Sequence, residues 1–343
     1  MVELKKRKSN LIETVLDKIA IQAQKYIENV PVIVLGSGAS VSYGLPTMGV
    51  LSKHLKDNVN GESDSNWSDF IKLLDDGTDL ETALQKITLN EEVTTQIIKE
   101  TWNLINPIDI EVFFKSLQNP NFYSLSNLIG KLFLSTSTEL NIITTNYDRL
   151  AEYACEKKNI YHFTGFSTGF LRTKVIEDPI NIRRRVNILK VHGSLDWFRS
   201  KDNLLIGLSN TSKIPEDFIP EIVTPGNEKY KKTYQEPYRT IIQKADLALE
   251  NNNSYLCIGY GFNDEHIQTK LVNKCVYNNS TLLILTRTLT EATKKFINEQ
   301  GCKNYLAFEK SGDKDTKVYS SLKGEFIIPE SDYWTLDGFL KLI

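Results

Sequence analysis

The stretch Val32–Gly49, VIVLGSGASVSYGLPTMG, constrains the fold more than any other part of the chain. Val32, Ile33, Val34 and Leu35 form a short apolar, mostly β-branched run that fits a strand buried on both faces. Gly36 and Gly38 follow at once, then Ala39, Ser40 and Ser42, the composition of a sharp strand-to-helix turn with a bare backbone. Amide N–H groups at such a turn point outward and carry the positive end of a helix dipole, so a diphosphate can rest on them. The stretch reads as a nucleotide cradle. It departs from the dinucleotide fingerprint G-x-G-x-x-G, because Val41 stands where the third glycine belongs. The acidic residue expected about twenty positions on, at the end of a second strand, is also missing. Leu51–Asp57 reads as helix, and no β-rich run precedes Asp57. Both departures disfavour hydride transfer of the dehydrogenase type.

Four further apolar runs end in residues able to do chemistry. Asn141–Thr145 leads into Asn146-Tyr147-Asp148, Val186–Val191 into His192-Gly193-Ser194, Tyr255–Ile258 into Gly259-Tyr260-Gly261, and Leu282–Leu285 into Thr286-Arg287. In an open α/β sheet the residues just past the carboxyl ends of strands line the ligand crevice. The strand exits are therefore expected to converge on one edge. An Asn-x-Asp is by itself ordinary turn and N-cap material, and a lone histidine is ordinarily structural. Position gives Asn146, Asp148 and His192 their interest, and Gly193 after the histidine lets a ligand approach, so His192 is the general-base candidate. His54 and His162 have no partner legible in the sequence.

Residues 9–29 repeat apolar side chains every three to four positions (Leu11/Ile12, Val15/Leu16, Ile19/Ala20, Ala23, Tyr26/Ile27), a helix expected to cover one face of the sheet rather than a subunit contact. From Gly49 to residue 138 no strand is predicted. Helical patterns run over Asn66–Leu74, over Leu80–Ile87 behind a Thr78–Glu81 capping box, then Glu91–Ile105, Phe113–Leu117 and Leu125–Leu134. This is far beyond the dozen or so residues of a plain crossover, and it predicts a helical insertion module overhanging the cradle. Residues 200–240 read as loop-rich, with Pro215, Pro220, Pro225 and Pro237, and Ile222–Gly226 as a short edge strand. The fold class is α/β: a Rossmann-like parallel sheet with flanking helices and a helical insertion. The expected domains are a discontinuous nucleotide-binding core (1–49 and 138–310), the insertion (50–137), and a C-terminal tail (311–343) packing on the core or a partner.

Composition excludes more than it assigns. With 41% hydrophobic and 24% charged residues the chain is an ordinary globular protein, and a net charge of −2 offers no global attraction to nucleic acid. The basic clusters Lys5–Lys8, Arg183–Arg185 and Lys229–Lys232 are expected to be solvated surface. Cys155, Cys257, Cys275 and Cys302 form no C-x-x-C pair, so no zinc ribbon and no metal site are expected. No export signal and no apolar run of membrane-spanning length is present. A cytoplasmic location, reduced thiols and no membrane association are the expectation.

Taken together, G-S-G-A-S…G-L-P, T-T-N-Y-D, L-K-V-H-G-S and I-G-Y-G-F-N-D-E-H-I, in this order across roughly residues 30–290, resemble the sirtuin superfamily, most of all its bacterial sirtuin-like branch of NAD-cleaving antiphage effectors. The resemblance implies that Gly36, Gly38, Ala39 and Ser40 hold the NAD+ diphosphate, with Gly259, Tyr260 and Gly261 around the phosphates and ribose and Arg287 toward the adenosine half. Pro46, Thr145 and Gly193 complete the expected cofactor-binding set. Asn146 is implied to position the attacking water and ribose, Asp148 to order the pocket, and His192 to be the catalytic histidine.

Two departures from the deacylating sirtuins stand out. Their paired-cysteine zinc module is absent, and Gly44-Leu-Pro-Thr-Met-Gly49 replaces G-I-P-D-F-R, so Thr47 and Met48 stand where an aspartate and a shielding phenylalanine belong. Both favour hydrolysis over protein deacylation. The expected activity is an NAD+ glycohydrolase that depletes NAD in antiphage defence by abortive infection. A non-catalytic NAD or ADP-ribose-binding scaffold subunit is the alternative, and a deacylase a third reading. NAD+ is then a substrate. The resemblance further implies a homo-oligomer and a separate operon-encoded subunit, a HerA-type ATPase or an Argonaute-like protein, with no direct nucleic-acid binding.

Overall fold

The structure, a computed structural model, describes residues 2–178, 180, 182–224 and 234–343, with side chains from Val15 onward. The side chains of Lys5–Lys8 and of Leu11 and Ile12, the cluster Lys229–Lys232 and the end of the expected Ile222–Gly226 strand lie outside the described residues. The strands in chain order are β1 (Val32–Leu35), β2 (Glu139–Thr144), β3 (Tyr161–Phe163), β4 (Leu171–Thr173), β5 (Arg185–Lys190), β6 (Gly193–Ser200) and β7 (Leu205–Leu208). They continue with β8 (Phe218–Ile222), β9 (Ser254–Ile258), β10 (Thr281–Thr286), β11 (Asn304–Ser311), β12 (Asp315–Ser320) and β13 (Gly324–Ile328). The chain divides into two compact units.

The first unit comprises residues up to Ala39, Ser124–Ile142 and Asp246–Ile343. Its strands lie in the order β13-β12-β11-β10-β9-β1. β1, β9, β10 and β11 are parallel, with Val34 opposite Cys257 and Cys257 opposite Ile284. All four residues of β1 and all five of β9 are buried, as their apolar runs require of strands covered on both faces. The helix Val2–Glu28 lies on β9 and β10 through Ile19, Ala23, Tyr26 and Ile27. Residues after 310 add β12 and β13 antiparallel to the sheet and end in the helix Leu336–Leu342, whose Phe339 packs edge-on against Phe308 at 5.8 Å. This is the α/β, parallel-rich architecture with flanking helices that the alternation of strand and helix signals predicts.

The second unit comprises Ser40–Tyr123 and Ile143–Ala245. From Met48 to Leu117 it is helical, with helices Met48–Asn58, Trp67–Asp75, Leu80–Lys86 and Glu91–Leu117. Leu51, Leu55, Val59, Phe70, Leu80, Ala83, Val93 and Ile97 form a hydrophobic core of their own. Thr47, Asp79 and Asn90 cap three of these helices by accepting from Val50, Thr82 and Val93 N–H groups. The cap of Leu80–Lys86 is thus Asp79, one residue beyond the expected Thr78.

Two sequence expectations need correction. The patterns at Glu91–Ile105 and Phe113–Leu117 are one 27-residue helix running through Pro107. Proline ordinarily breaks a helix by removing an N–H and crowding the preceding turn, but here the residues on either side are pinned by tertiary contacts. Asn106 donates to Thr211 O at 2.9 Å, and Asp109 accepts from the backbone and side chain of Arg149 at 2.8 Å each. The described residues of 200–240 are mostly turn and loop, as expected, but the edge strand is β8 at Phe218–Ile222 and not a run that begins at Ile222. β4-β7-β6-β8 form a four-stranded antiparallel sheet on which the long helix packs, Trp102 Nε1 donating to Leu195 O at 2.7 Å. Pro215 lies in the connection before β8 and Pro220 on β8 itself, an outer strand where a missing donor is tolerated, while Pro237 immediately precedes the helix Tyr238–Glu250 and Pro225 lies outside the described residues. β3 and β5 pair in parallel, under the helix Leu150–Glu156.

Asp109 is fully buried and takes Arg149 Nε, Arg149 N and the Tyr153 hydroxyl. Removing one partner of a buried ion pair leaves the other charge unpaired, which costs about 3–5 kcal/mol. Asp109→Ala is therefore expected to lower the urea unfolding free energy by about that amount, while Asp109→Leu combined with Arg149→Met recovers most of it.

Candidate functional site

The second unit brings three of the expected residues into one hydrogen-bonded chain. Ser40 Oγ donates to Asp148 Oδ2 at 2.6 Å, and Asn146 Nδ2 donates to Ser40 Oγ at 3.1 Å. All three are buried, at 4%, 8% and 8% exposure for Ser40, Asn146 and Asp148. The turn after β2 that carries Asn146 and Asp148 is held by several hydrogen bonds, as buried backbone requires. Asn146 N donates to Thr144 Oγ1, Tyr147 O accepts from Leu195 N at 3.0 Å, and the Tyr147 hydroxyl donates to Val223 O at 2.7 Å. The Asp148 carbonyl accepts from Lys190 Nζ, and Leu150 N donates to Asp148 Oδ1 at 3.2 Å.

The exit of β5 lies beside this turn, because Val191 N donates to Thr144 O at 3.1 Å. His192 follows directly and is half-buried, and its carbonyl accepts from Val223 N at 2.9 Å. Gly193 has φ +89°, and a Cβ there would overlap Glu221 O. An L side chain is thus excluded twice, and the backbone at the histidine is held against β8. Thr145 is half-buried between the end of β2 and Asn146. Pro46 is half-buried ahead of the helix Met48–Asn58, which Thr47 caps, and Met48 is 38% exposed.

The first unit holds the backbone-rich part of the expected set. Gly36 N donates to Ile258 O and Gly38 N to Gly259 O, both at 3.1 Å, and Gly259 N donates to Leu285 O at 2.8 Å. The exits of β1, β9 and β10 are thereby stitched together. A Cβ on Gly36 would strike Gly259 O, one on Gly38 would lie 2.8 Å from Gly259 Cα, and Gly259 has φ +57°. These glycines are required by the approach of two backbones. Ala39 N donates to Gly36 O at 3.0 Å. Tyr260 is buried with its hydroxyl donating to Asp264 O, and Gly261 O accepts from Thr290 Oγ1 at 2.6 Å. Arg287 is exposed beyond β10.

Sequence reasoning missed Lys190 and Glu152. Lys190 has no exposure, and its ammonium donates to Asp148 O and to Glu152 Oε1 at 3.0 Å. The available signal was a lysine inside the apolar run VNILKV, since an ammonium in a buried strand has to be paired. Nearby, burial acts to raise the Asp196 carboxyl, but Arg172, Lys190 and Arg149 hold it well below the usual range. His54, partnerless in the sequence, meets Glu100 at 3.1 Å. Of the cluster Arg183–Arg185, expected to be solvated surface, Arg183 and Arg184 are exposed and Arg185, the first residue of β5, is half-buried. All four cysteines are buried free thiols. Among the described residues no cluster of three or more His, Cys, Asp or Glu could hold a metal, and no helix is long and apolar enough to cross a membrane.

Burial pushes the Asp148 carboxyl up to about 6, against the downward pull of Lys190 and the Ser40 hydroxyl. A carboxyl raised on folding binds its proton more tightly in the native state, so the stability it contributes is complete below its unfolded value near 3.8 and is lost as pH rises through about 6. Asp148→Asn cannot ionise. Its stability relative to the unsubstituted protein is expected to rise by about 3 kcal/mol between pH 3.5 and pH 7.5, measured by urea unfolding across that range.

A family model described as SIR2-like domain matches residues 140–304. No curated protein matches the sequence. Among solved structures, a serine-to-alanine variant of a Sir2 homologue in complex with ADP-ribose is similar at 16% identity and a TM-score of 0.45, over 77% of this chain and 82% of that one. A structure described as the basis for the mechanism and regulation of Sir2 enzymes aligns at 16% identity and a TM-score of 0.44, over 83% and 94% of the two chains. A Sir2 homologue–NAD complex aligns at 14% identity and a TM-score of 0.43, over 86% and 87%. The residues matched by the SIR2-like model, 140–304, hold all of β2 but its first residue, together with β5, β9 and β10 and the residues at their exits.

Proposed function

We propose that this protein is an NAD+ glycohydrolase, cleaving the nicotinamide–ribose bond with water to give nicotinamide, ADP-ribose and a proton. The observation that carries the reading is the buried chain Asn146–Ser40–Asp148 beside the strand exit that bears His192. The SIR2-like match supports it, since 140–304 contains Asn146, Asp148, His192 and Gly259–Gly261.

The reaction asks little of the protein. Nicotinamide leaves a pyridinium as a neutral molecule, so its departure needs no proton. A glycosidase, by contrast, requires an acid for its leaving oxygen. In this reading Asn146 holds the attacking water and the ribose, and His192 takes the water's proton, a role worth on the order of 10²–10⁴-fold. Asp148 orders the amide through Ser40: its carboxylate accepts the hydroxyl proton, which turns the Ser40 lone pairs toward Asn146 Nδ2. Gly36, Gly38, Ala39 and Gly259–Gly261 supply backbone for the diphosphate and ribose, with Pro46, Thr145, Gly193 and Arg287 completing the substrate contacts. Thr47, spent on a helix cap, and the exposed Met48 fit hydrolysis better than a shielded acyl transfer. We further read the protein as a cytoplasmic antiphage effector that works as a homo-oligomer with a separately encoded ATPase or Argonaute-like subunit. The nucleotide-binding core is taken as 1–49 with 138–310, carrying 50–137 as an insertion and 311–343 as a tail.

Purified protein incubated with NAD+, alone and with its operon neighbour, is expected to release nicotinamide and ADP-ribose in equal amounts. Asn146→Ala and His192→Ala are each expected to lose on the order of 10²-fold or more in kcat. Unchanged rates in both variants refute the site assignment. Tight NAD+ binding by calorimetry without turnover in either assembly state replaces the hydrolase with a binding subunit.

A further inference from the structure

Lys190 is the last residue of β5 and follows three largely apolar positions, yet its side chain is an ammonium with no exposure. A buried ion pair adds little stability over apolar residues of the same size, so packing alone does not call for a lysine there. What the ammonium supplies is a donor. It reaches the carbonyl of Asp148 and the carboxylate of Glu152, whose side chain is 10% exposed and whose Oε2 is buried with no hydrogen-bond partner among the described residues. Lysine, acid and carbonyl come from three pieces of the second unit: β5, the helix Leu150–Glu156, and the turn that opens it.

We propose that Lys190 and Glu152 are a positioning pair for the turn 146–148, Glu152 holding the ammonium and the ammonium gripping the Asp148 carbonyl, so that the Asn146 and Asp148 side chains stand where the Ser40 hydroxyl can join them. Only the kinetic part of the test rests on the hydrolase reading. The groups acting on Asp148 are Lys190 from β5, Asp109 from the helix Glu91–Leu117, the Ser40 hydroxyl, the Leu150 N–H and Tyr123, while Glu152 and Asp196 act on Lys190.

The test follows the Asp148 carboxyl by carbon NMR titration, together with nicotinamide release, in full-length Lys190→Met, Lys190→Arg and Glu152→Gln proteins. Lys190→Met is expected to raise the Asp148 midpoint by about one pH unit or more, a tenfold change in proton affinity. Glu152→Gln is expected to move it the opposite way, because the lysine loses its competing anion. In the methionine variant kcat falls on the order of 10²-fold with KM little changed, the signature of a displaced reacting group. Lys190→Arg, which keeps charge and donors, returns the midpoint toward that of the unsubstituted protein. A folded methionine variant with midpoint and kcat unchanged overturns the proposal. If that variant does not fold, an unmoved or raised midpoint in Glu152→Gln does so. Should the unsubstituted protein release no nicotinamide, the hydrolase reading fails while the midpoint shifts still decide the positioning role.

Discussion

An ammonium sealed inside the second unit organises what surrounds it. Lys190 has no exposure and cannot stay charged there without acceptors. The two it finds, Glu152 and the Asp148 carbonyl, fasten the last residue of β5 to the turn after β2. The backbone bond from Val191 to Thr144 runs in the same direction, so the two strand exits are held by a main-chain and a side-chain tie together. Around them the Asp109–Arg149–Tyr153 cluster and the Asp196–Arg172 pair fill the remaining polar space. Burial opposes the Arg149 charge, but Asp109 and Tyr153 keep it fully protonated. Such a network is high-stakes: satisfied, it fixes a unique arrangement, and with one member missing it leaves a charge stranded.

Each unit, taken by itself, holds a different kind of group. The first offers backbone, since Gly36, Gly38 and Gly259 approach so closely that no side chain fits between them. The second offers side chains whose protonation and direction are set by neighbours, with Asp148 lifted to about 6 by burial and pulled back by Lys190. Preorganised groups of this sort do not have to reorient as charge develops, and this is where most enzymatic rate enhancement arises.

Much of this was legible in the chain. Short β-branched runs ending in glycine or in Asn-x-Asp and His-Gly identify strands and their exits, because a strand buried on both faces admits little but apolar residues. Three things were not. Pro107 breaks a helix by every local rule, and only the contacts of Asn106 and Asp109 show why it does not. β6 and β7 were not recognised as strands, since their partners are supplied by antiparallel pairing within one small sheet. Lys190 in VNILKV was read as part of a strand and no more, although a lysine in a buried strand was itself the signal.

The core strands β1, β2, β5, β9 and β10, the bare glycine turn and the residue types at those strand exits were legible in the sequence alone, because burial and backbone conformation restrict which residues a local position accepts. Which of those residues meet was decided only by tertiary structure. Ser40 and Asp148 lie 108 positions apart in the chain, and no local preference can specify a hydrogen bond across that distance. It exists because folding brings Ser40 to the turn after β2, a turn that the Val191–Thr144 bond and Lys190 fasten to the exit of β5.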